Sequence, residues 1–241
     1  MKILGMCGTH KRGKIKSASE WFLRVALEAA REKGAEVESI RLINYTIVPC
    51  TACNRCFCGQ LCPLLENSKD ETRVIFDKMA QANAFIFSSP VYAYKIPAVV
   101  LNFIQRTRPL HEMDRSPIWG TEITAYKCNP FRGKAVGNMA VGAGIGLEGA
   151  LFDLFHYLKA MTATSVVCAG IGLFESEIKN LCMVDGKFSM KHELLKEMLD
   201  RDIPSYEENE NAIAMARAVG RQVFDVASSE LFKNIAEIVR Y

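Results

Sequence analysis

The chain has 241 residues, and its 30 lysines and arginines against 27 aspartates and glutamates give a formal net charge of +3. A hydrophobic fraction of 49% with 24% charged residues is that of an ordinary globular protein, which excludes a disordered, collagen-like or coiled-coil chain. The small net charge gives no general reason to expect binding to nucleic acid or membrane, and no apolar run approaches the ~18 residues of a membrane span. At the N-terminus apolar residues precede basic ones, the reverse of a secretory signal, so we expect a cytoplasmic protein.

The predicted elements alternate between strands and helices. Residues 1–8 are typical of a buried strand, and a helix is expected to begin at Ser17, where Ser17 and Glu20 match the capping-box pattern. The remaining elements, in chain order, are a strand at 36–42, a helix at 68–81, a strand at 84–91, a helix at 97–107, a strand at 135–141, a helix ending near 161, a strand at 165–171 and a helix at 208–226.

This alternation predicts a parallel sheet with helices on both faces, in a single α/β domain over residues 1–241. Residues 49–63, which prolines bracket at both ends, are expected to form a loop after the second strand. Two further segments, at about 108–133 and 175–203, fit no βα unit, and we interpret them as insertions. Helical stretches are expected within the second insertion.

The loop after the first strand predicts a phosphate site. Basic side chains concentrate there just before a helix, and the free amides of a helix N-terminus favour anions. The candidate phosphate-binding residues are Thr9, Lys11, Ser17 and Ser19. The segment from Gly8 to Lys14 nearly matches a nucleoside-triphosphate P-loop, but Ile15 stands where Mg²⁺ requires a hydroxyl, so a single phosphate such as that of FMN fits better. A solvated basic loop is the alternative.

Two more loops leave predicted strand ends with residues suited to a planar ring. Small residues and aromatics follow the third strand, and a glycine-rich turn that permits close backbone approach follows the fourth. The candidate ring-binding residues are Ser89, Pro90, Val91, Tyr92, Ala93, Gly142, Gly144 and Gly146. Either loop alone is an ordinary turn. Because all three loops lie at strand carboxyl ends, where such sheets bind ligands, together they predict a flavin nucleotide.

Five of the nine cysteines fall within 13 residues, at Cys50, Cys53, Cys56, Cys58 and Cys62. Thiolates are soft ligands that hold zinc or iron–sulfur clusters. Structural zinc usually uses two separated Cys-x2-Cys pairs, whereas three thiols at x2 spacing followed by a fourth and a proline are similar to a ferredoxin run. The spacing favours a [4Fe–4S] cluster on Cys50, Cys53, Cys56 and Cys62, with zinc as the alternative. Cys58 is an alternative fourth ligand, disfavoured because ligands at x1 spacing crowd one metal.

With these motifs the chain resembles the iron–sulfur flavoproteins of anaerobic archaea and bacteria, within the flavodoxin-like NADPH-dependent FMN reductase superfamily. The resemblance rests on residues 5–17, 49–62 and 89–98, and more weakly on 142–149. It implies a flavodoxin-like three-layer sandwich with a five-stranded parallel sheet of order 2-1-3-4-5. It also implies bound FMN, a [4Fe–4S] cluster, a homodimer or homotetramer, and electron transfer between cluster and flavin across a subunit interface.

These features predict an FMN- and [4Fe–4S]-containing oxidoreductase. It would pass electrons from ferredoxin or NAD(P)H to a small-molecule acceptor, with no nucleic-acid or membrane partner. The cofactors carry the chemistry, so we predict no catalytic side chain. Two alternatives remain open: an NAD(P)H-dependent FMN or quinone reductase with a structural zinc loop, and a non-catalytic redox sensor.

Overall fold

The computed structural model describes residues 1–13, 16–58, 60–110, 131, 133–162, 167–173, 183–184, 187–188 and 205–234. Its principal sheet has five parallel strands in the order β2-β1-β3-β4-β5, which confirms the predicted topology. The strands are β1 (Lys2–Cys7), β2 (Glu36–Arg41), β3 (Ala84–Pro90), β4 (Ala135–Gly142) and β5 (Val167–Gly172).

Helices cover both faces of this sheet, as a parallel arrangement requires. The helices are α1 (Ala18–Arg31), α2 (Thr72–Gln81), α3 (Ala98–Arg106), α4 (Leu147–Thr162) and α5 (Glu210–Ser228). The first and last pack on one face, and the other three pack on the opposite face. In the central strand β3, Phe85 and Phe87 point into one core and Ala84 and Ile86 into the other, because successive side chains of a strand alternate.

The capping-box prediction at the start of α1 is wrong. Ser17 does occupy the N-cap position, but its side chain makes no capping hydrogen bond. Its hydroxyl instead lies 3.0 Å from that of Ser19. Glu20 forms an ion pair with Arg41, at the end of β2, so its carboxylate is not used to cap the helix.

The predicted helix at 68–81 begins later, at Thr72. Two acidic side chains just before it accept hydrogen bonds from the chain after β2: Glu71 from the amide of Thr46, and Asp70 from the amide of Val48. These tertiary contacts hold the residues before Thr72 outside the helix.

Most of both predicted insertions lies outside the described residues. Within the second one, the described positions form a short antiparallel pair, β6 (Met183–Val184) with β7 (Lys187–Phe188), and the expected helical stretches lie outside the described residues. Among the described residues, no helix combines the length and the apolar character needed to cross a membrane.

Candidate functional site

A cleft opens at the carboxyl ends of β1, β3 and β4, and we call it the nucleotide cleft. It is lined by Lys11, Ser17, Ala18, Ser19, Pro90, Val91, Tyr92, Val141, Gly142 and Ala143. The structure therefore brings residues of all three predicted loops together around one space. Five predicted residues do not line the cleft: Thr9, Ser89, Ala93, Gly144 and Gly146.

One end of the nucleotide cleft has the chemistry of an anion site. The hydroxyls of Ser17 and Ser19 lie there beside the first amides of α1, and Lys11 adds a positive charge. Glu20, in the first turn of the helix, would repel an anion, but its hydrogen bonds to Arg41 neutralise it and raise the pKa of that guanidinium. The arrangement can therefore bind a phosphate group.

Two of the residues outside the lining shape the loops instead. The hydroxyl of Thr9 accepts a hydrogen bond of 3.2 Å from the amide of Lys11, and Thr9 is fully buried. The hydroxyl of Ser89, equally buried, donates to the carbonyl of Pro90 at 3.0 Å. Both side chains fix the backbone from which lining residues project.

The other end of the nucleotide cleft is apolar and is bounded by a tight turn. Tyr92 and Lys95 exchange two backbone hydrogen bonds of 2.9 and 3.0 Å, and the residues between them, Ala93 and Tyr94, have φ of 47° and 65°. The enclosed volume is about 170 Å³, below the ~300 Å³ at which ligand pockets usually begin. The described residues therefore enclose only part of the space that a flavin nucleotide would need.

The predicted metal ligands surround a second, smaller cavity, which we call the cysteine cavity. It is lined by Cys50, Thr51, Cys53, Asn54, Cys56, Cys62, Leu64, Gln105, Arg106, Arg108 and Pro109. All four cysteines of the favoured set contribute to it. Cys58, the alternative ligand, does not line it.

The backbone winds tightly around these thiols. Ala52 and Asn54, on either side of Cys53, have φ of 52° and 59°, a left-handed conformation that costs free energy in residues with a side chain. A 3₁₀ turn follows at Arg55–Cys58. Such strain is typical of a loop that folds around a bound group.

The pKa values of two of these thiols are shifted in opposite directions. Hydrogen bonding from the amide of Arg55 holds the pKa of the exposed Cys53 thiol below its ordinary value. Burial raises the pKa of the Cys56 thiol. The positive charge of Arg108 opposes this rise, and the neighbouring thiols of Cys62 and Cys50 add to it. Nearby positive charge favours the thiolate, which is the form that binds a metal.

The cysteine cavity has the donor chemistry for a metal cluster, but its geometry is not closed around one. Its volume is about 20 Å³, room for about one water molecule. Among the described residues, no three histidine, cysteine or acidic side chains lie close enough together to hold a single metal ion. A [4Fe–4S] cluster spreads its four thiolates over different iron atoms, so it would need wider spacing than a single ion, and these thiols would have to move apart to hold one.

Helix α3 anchors the two residues that lead into the cysteine loop (residues 49–63). The Asn102 side chain donates to the carbonyl of Ile47 at 2.6 Å, and Nη1 of Arg106 donates to the carbonyl of Val48 at 2.7 Å. Burial alone would raise the pKa of Asp70, but hydrogen bonds from Arg106, Val48 and Thr72 hold it below its ordinary value. The carboxylate is therefore charged and pairs with Arg106.

Sequence reasoning missed these anchoring residues. Arg106 and Asn102 stand one helical turn apart on α3, and their partners are at least 36 positions away along the chain. The sequence gives no local signal for such contacts. It also missed Ala18, Val141 and Ala143, whose only signal is their place beside predicted lining residues.

Comparison with known proteins gives a family match over most of the chain. A family model described as NADPH-dependent FMN reductase matches residues 1–172. An "Iron-sulfur flavoprotein" of Methanosarcina thermophila is 32% identical over 107 residues, which is 44% of this chain and 52% of that protein. One of Archaeoglobus fulgidus is 28% identical over 180 residues, 74% of this chain and 72% of that protein. The chain spans about half the length of the relatives that it matches at 30% identity or more.

Solved structures show a shared fold at low sequence identity. A flavone reductase superposes with a TM-score of 0.63 at 22% identity, covering 100% of this chain and 66% of that one. An NAD(P)H:quinone oxidoreductase from Methanothermobacter marburgensis gives a TM-score of 0.57 at 16% identity, covering 92% and 98%. These likenesses establish the flavodoxin-like architecture and nothing more specific.

Proposed function

Since the chain belongs to the NADPH-dependent FMN reductase family, we propose that it is a flavin-dependent oxidoreductase with two redox centres, FMN and a [4Fe–4S] cluster. The observation that carries the second centre is the cysteine cavity, which Cys50, Cys53, Cys56 and Cys62 all line. Relatives named iron–sulfur flavoproteins support the same assignment.

We propose separate tasks for the two ends of the nucleotide cleft. Lys11, Ser17 and Ser19, with the first amides of α1, would hold the phosphate of FMN. Pro90, Val91 and the backbone near Gly142 would pack against the ring, and Tyr92, which is 37% exposed, would flank it.

The two groups supply different electron chemistry when bound: a flavin accepts two electrons and releases them singly, whereas a cluster handles one at a time. The chain's own part is to bind and orient them, and this scheme requires no acid–base side chain. We propose ferredoxin or NAD(P)H as the donor and a small molecule as the acceptor.

We propose that the protein works as a homodimer or homotetramer. Among the described residues, the strongly exposed apolar side chains include Tyr94 at 63% and Ile145 at 64%, on the turns after β3 and β4, and Phe152 at 68%, on α4. Exposed apolar groups of this kind are typical of protein interfaces. Analytical ultracentrifugation tests the assembly: Phe152→Ser is expected to weaken association, and a wild-type monomer at all concentrations would contradict the proposal.

The function is tested by purifying the full chain without oxygen and measuring FMN, iron, sulfide and zinc per chain. The proposal predicts FMN together with about four iron and four sulfide. Zinc without iron would instead indicate a reductase with a structural zinc loop. Absence of FMN after reconstitution would overturn the flavin assignment. Turnover is assayed separately, with NAD(P)H or reduced ferredoxin as donor and a quinone or O₂ as acceptor. Failure to oxidise either donor would favour a redox sensor.

A further inference from the structure

The guanidinium of Arg106 is only partly used by the protein itself. Arg106 is 1% exposed, and its Nη1 atom serves two acceptors, the carbonyl of Val48 at 2.7 Å and the Asp70 carboxylate at 2.5 Å. Its Nη2 atom is buried and has no hydrogen-bond acceptor among the described residues. A buried donor without an acceptor costs free energy, so such atoms generally mark a missing partner.

The same residue lines the cysteine cavity. Arg106 stands at the C-terminal end of α3, and the cavity it borders also receives the four thiols that would hold a cluster. Those thiols and the sulfides of a cluster are hydrogen-bond acceptors. Asp70 compensates the positive charge and, with the carbonyl of Val48, holds the guanidinium through Nη1, which leaves Nη2 as its unused terminal donor among the described residues.

We propose that Arg106 is a positioning residue for the cluster, whose Nη2 donates a hydrogen bond to a cysteinyl or sulfide sulfur once the cluster is bound. This inference rests on the proposed function, because it needs a cluster in the cysteine cavity. A donor near the sulfurs stabilises the reduced, more negative state, so Arg106 raises the reduction potential of the cluster.

The first test compares Arg106→Lys with Asn102→Ala in the iron-loaded full chain. A lysine keeps a charge for Asp70 but has no second nitrogen, whereas Asn102 anchors the same loop through Ile47 without lining the cysteine cavity. The cluster potential is measured in a potentiometric titration followed by electron paramagnetic resonance. At a given applied potential, Arg106→Lys is expected to raise the ratio of oxidised to reduced cluster about tenfold, which corresponds to a reduction potential about 59 mV lower. Asn102→Ala is expected to leave it within error of the wild type.

Two results of this titration would overturn the inference. One is an unchanged potential in an Arg106→Lys protein with normal iron content. The other is an equal shift in Asn102→Ala, which would mean that loosening the loop alone changes the potential. Wild-type protein that takes up no iron would overturn the proposed cluster itself, and iron analysis separates that failure from this one.

A second measurement needs no variant at Arg106, and so decides the matter if that variant fails to fold. The reduced, iron-loaded wild type is labelled with arginine that carries ¹⁵N only at its two Nη atoms, so that the Arg55 amide beside Cys53 stays unlabelled, and is studied by electron–nuclear double resonance. The inference predicts a ¹⁵N coupling to the cluster that persists in Arg108→Lys, the other arginine lining the cysteine cavity. No coupling in the wild type, or its loss in Arg108→Lys, would contradict the role of Arg106.

Discussion

The Cα atom of Tyr94 lies where a side chain on Gly146 would begin: a Cβ on that glycine would be 2.7 Å from it. Both residues have positive φ, 65° for Tyr94 and 80° for Gly146. The turn after β3 and the glycine loop after β4 are thus in backbone contact. Although neither residue lines the nucleotide cleft, their contact sets the separation of the two loops that do.

Gly146→Ala is expected to damage the fold of this region and its flavin binding. An alanine at this position is strained by the left-handed backbone conformation. Its methyl group also overlaps Tyr94, and such overpacking costs about 1–3 kcal/mol. Gly13→Ala is the control, because its φ is 61° but its Cβ would meet nothing within 4 Å. Urea unfolding should show a larger loss of unfolding free energy for Gly146→Ala. Equal losses would mean that the loops separate at no cost.

Lys11→Gln is expected to weaken binding of FMN but not of riboflavin. A charge-assisted hydrogen bond to phosphate contributes about 1.5–3 kcal/mol, so the FMN dissociation constant should rise about 10- to 100-fold. Riboflavin has no phosphate and should bind the variant as it binds the wild type. Arg12→Gln is the matched control, since Arg12 is exposed and does not line the nucleotide cleft. Fluorescence titration measures all these constants, and equal weakening of riboflavin would place Lys11 elsewhere.

Asp70→Asn is expected to destabilise the protein strongly. It leaves the buried Arg106 guanidinium without its counter-charge, which costs about 3–5 kcal/mol. Asp225→Asn breaks the exposed pair with Lys33 and should cost about 0–1 kcal/mol. Against the effect of burial, hydrogen bonds hold the pKa of Asp70 in the folded protein below its ordinary value of 3.8. The contribution of the carboxylate to the free energy of unfolding is therefore complete above about pH 3.8 and is lost only in stronger acid. Chemical denaturation measures the free energy of unfolding of both variants. Similar losses in the two would refute the predicted difference.

Cys7 is expected to make stability fall at alkaline pH. Burial raises the pKa of its thiol from 9.0 to about 11 in the folded protein. Between these values the unfolded chain loses the proton and the folded chain keeps it, so unfolding becomes more favourable as the pH rises, by about 2–3 kcal/mol in total. Subtracting the pH profile of Cys7→Ala from that of the wild type isolates this effect. A flat difference from pH 9 to 11 would show that Cys7 ionises freely.

Local sequence patterns predicted the elements that depend on local physics. The apolar runs of β1 and β3 gave buried strands, and the alternation of strands with helices gave a parallel sheet. The strand order came from the family resemblance. The spacing of the cysteines also favoured Cys62 over Cys58, and the former lines the cysteine cavity.

Contacts between distant residues were not predictable in this way. Glu20 matches a capping pattern, but its carboxylate instead accepts hydrogen bonds from Arg41, 21 positions later. The local pattern predicts only that Arg106 lies near the end of a helix. In the structure, Asp70 and Val48 fix its side chain beside the cysteine cavity. Such pairings arise only when the chain folds, and they decide which polar groups remain available to a ligand.

The central claim is that the cysteine cavity holds a cluster on four particular thiols. The most direct test measures iron and sulfide per chain, after reconstitution without oxygen, in Cys58→Ser and Cys62→Ser. Both remove one thiol from the same loop, but only Cys62 lines the cavity. The account predicts that Cys58→Ser retains the wild-type iron and sulfide and that Cys62→Ser loses most of both. Full retention in Cys62→Ser, or loss in Cys58→Ser alone, would contradict it.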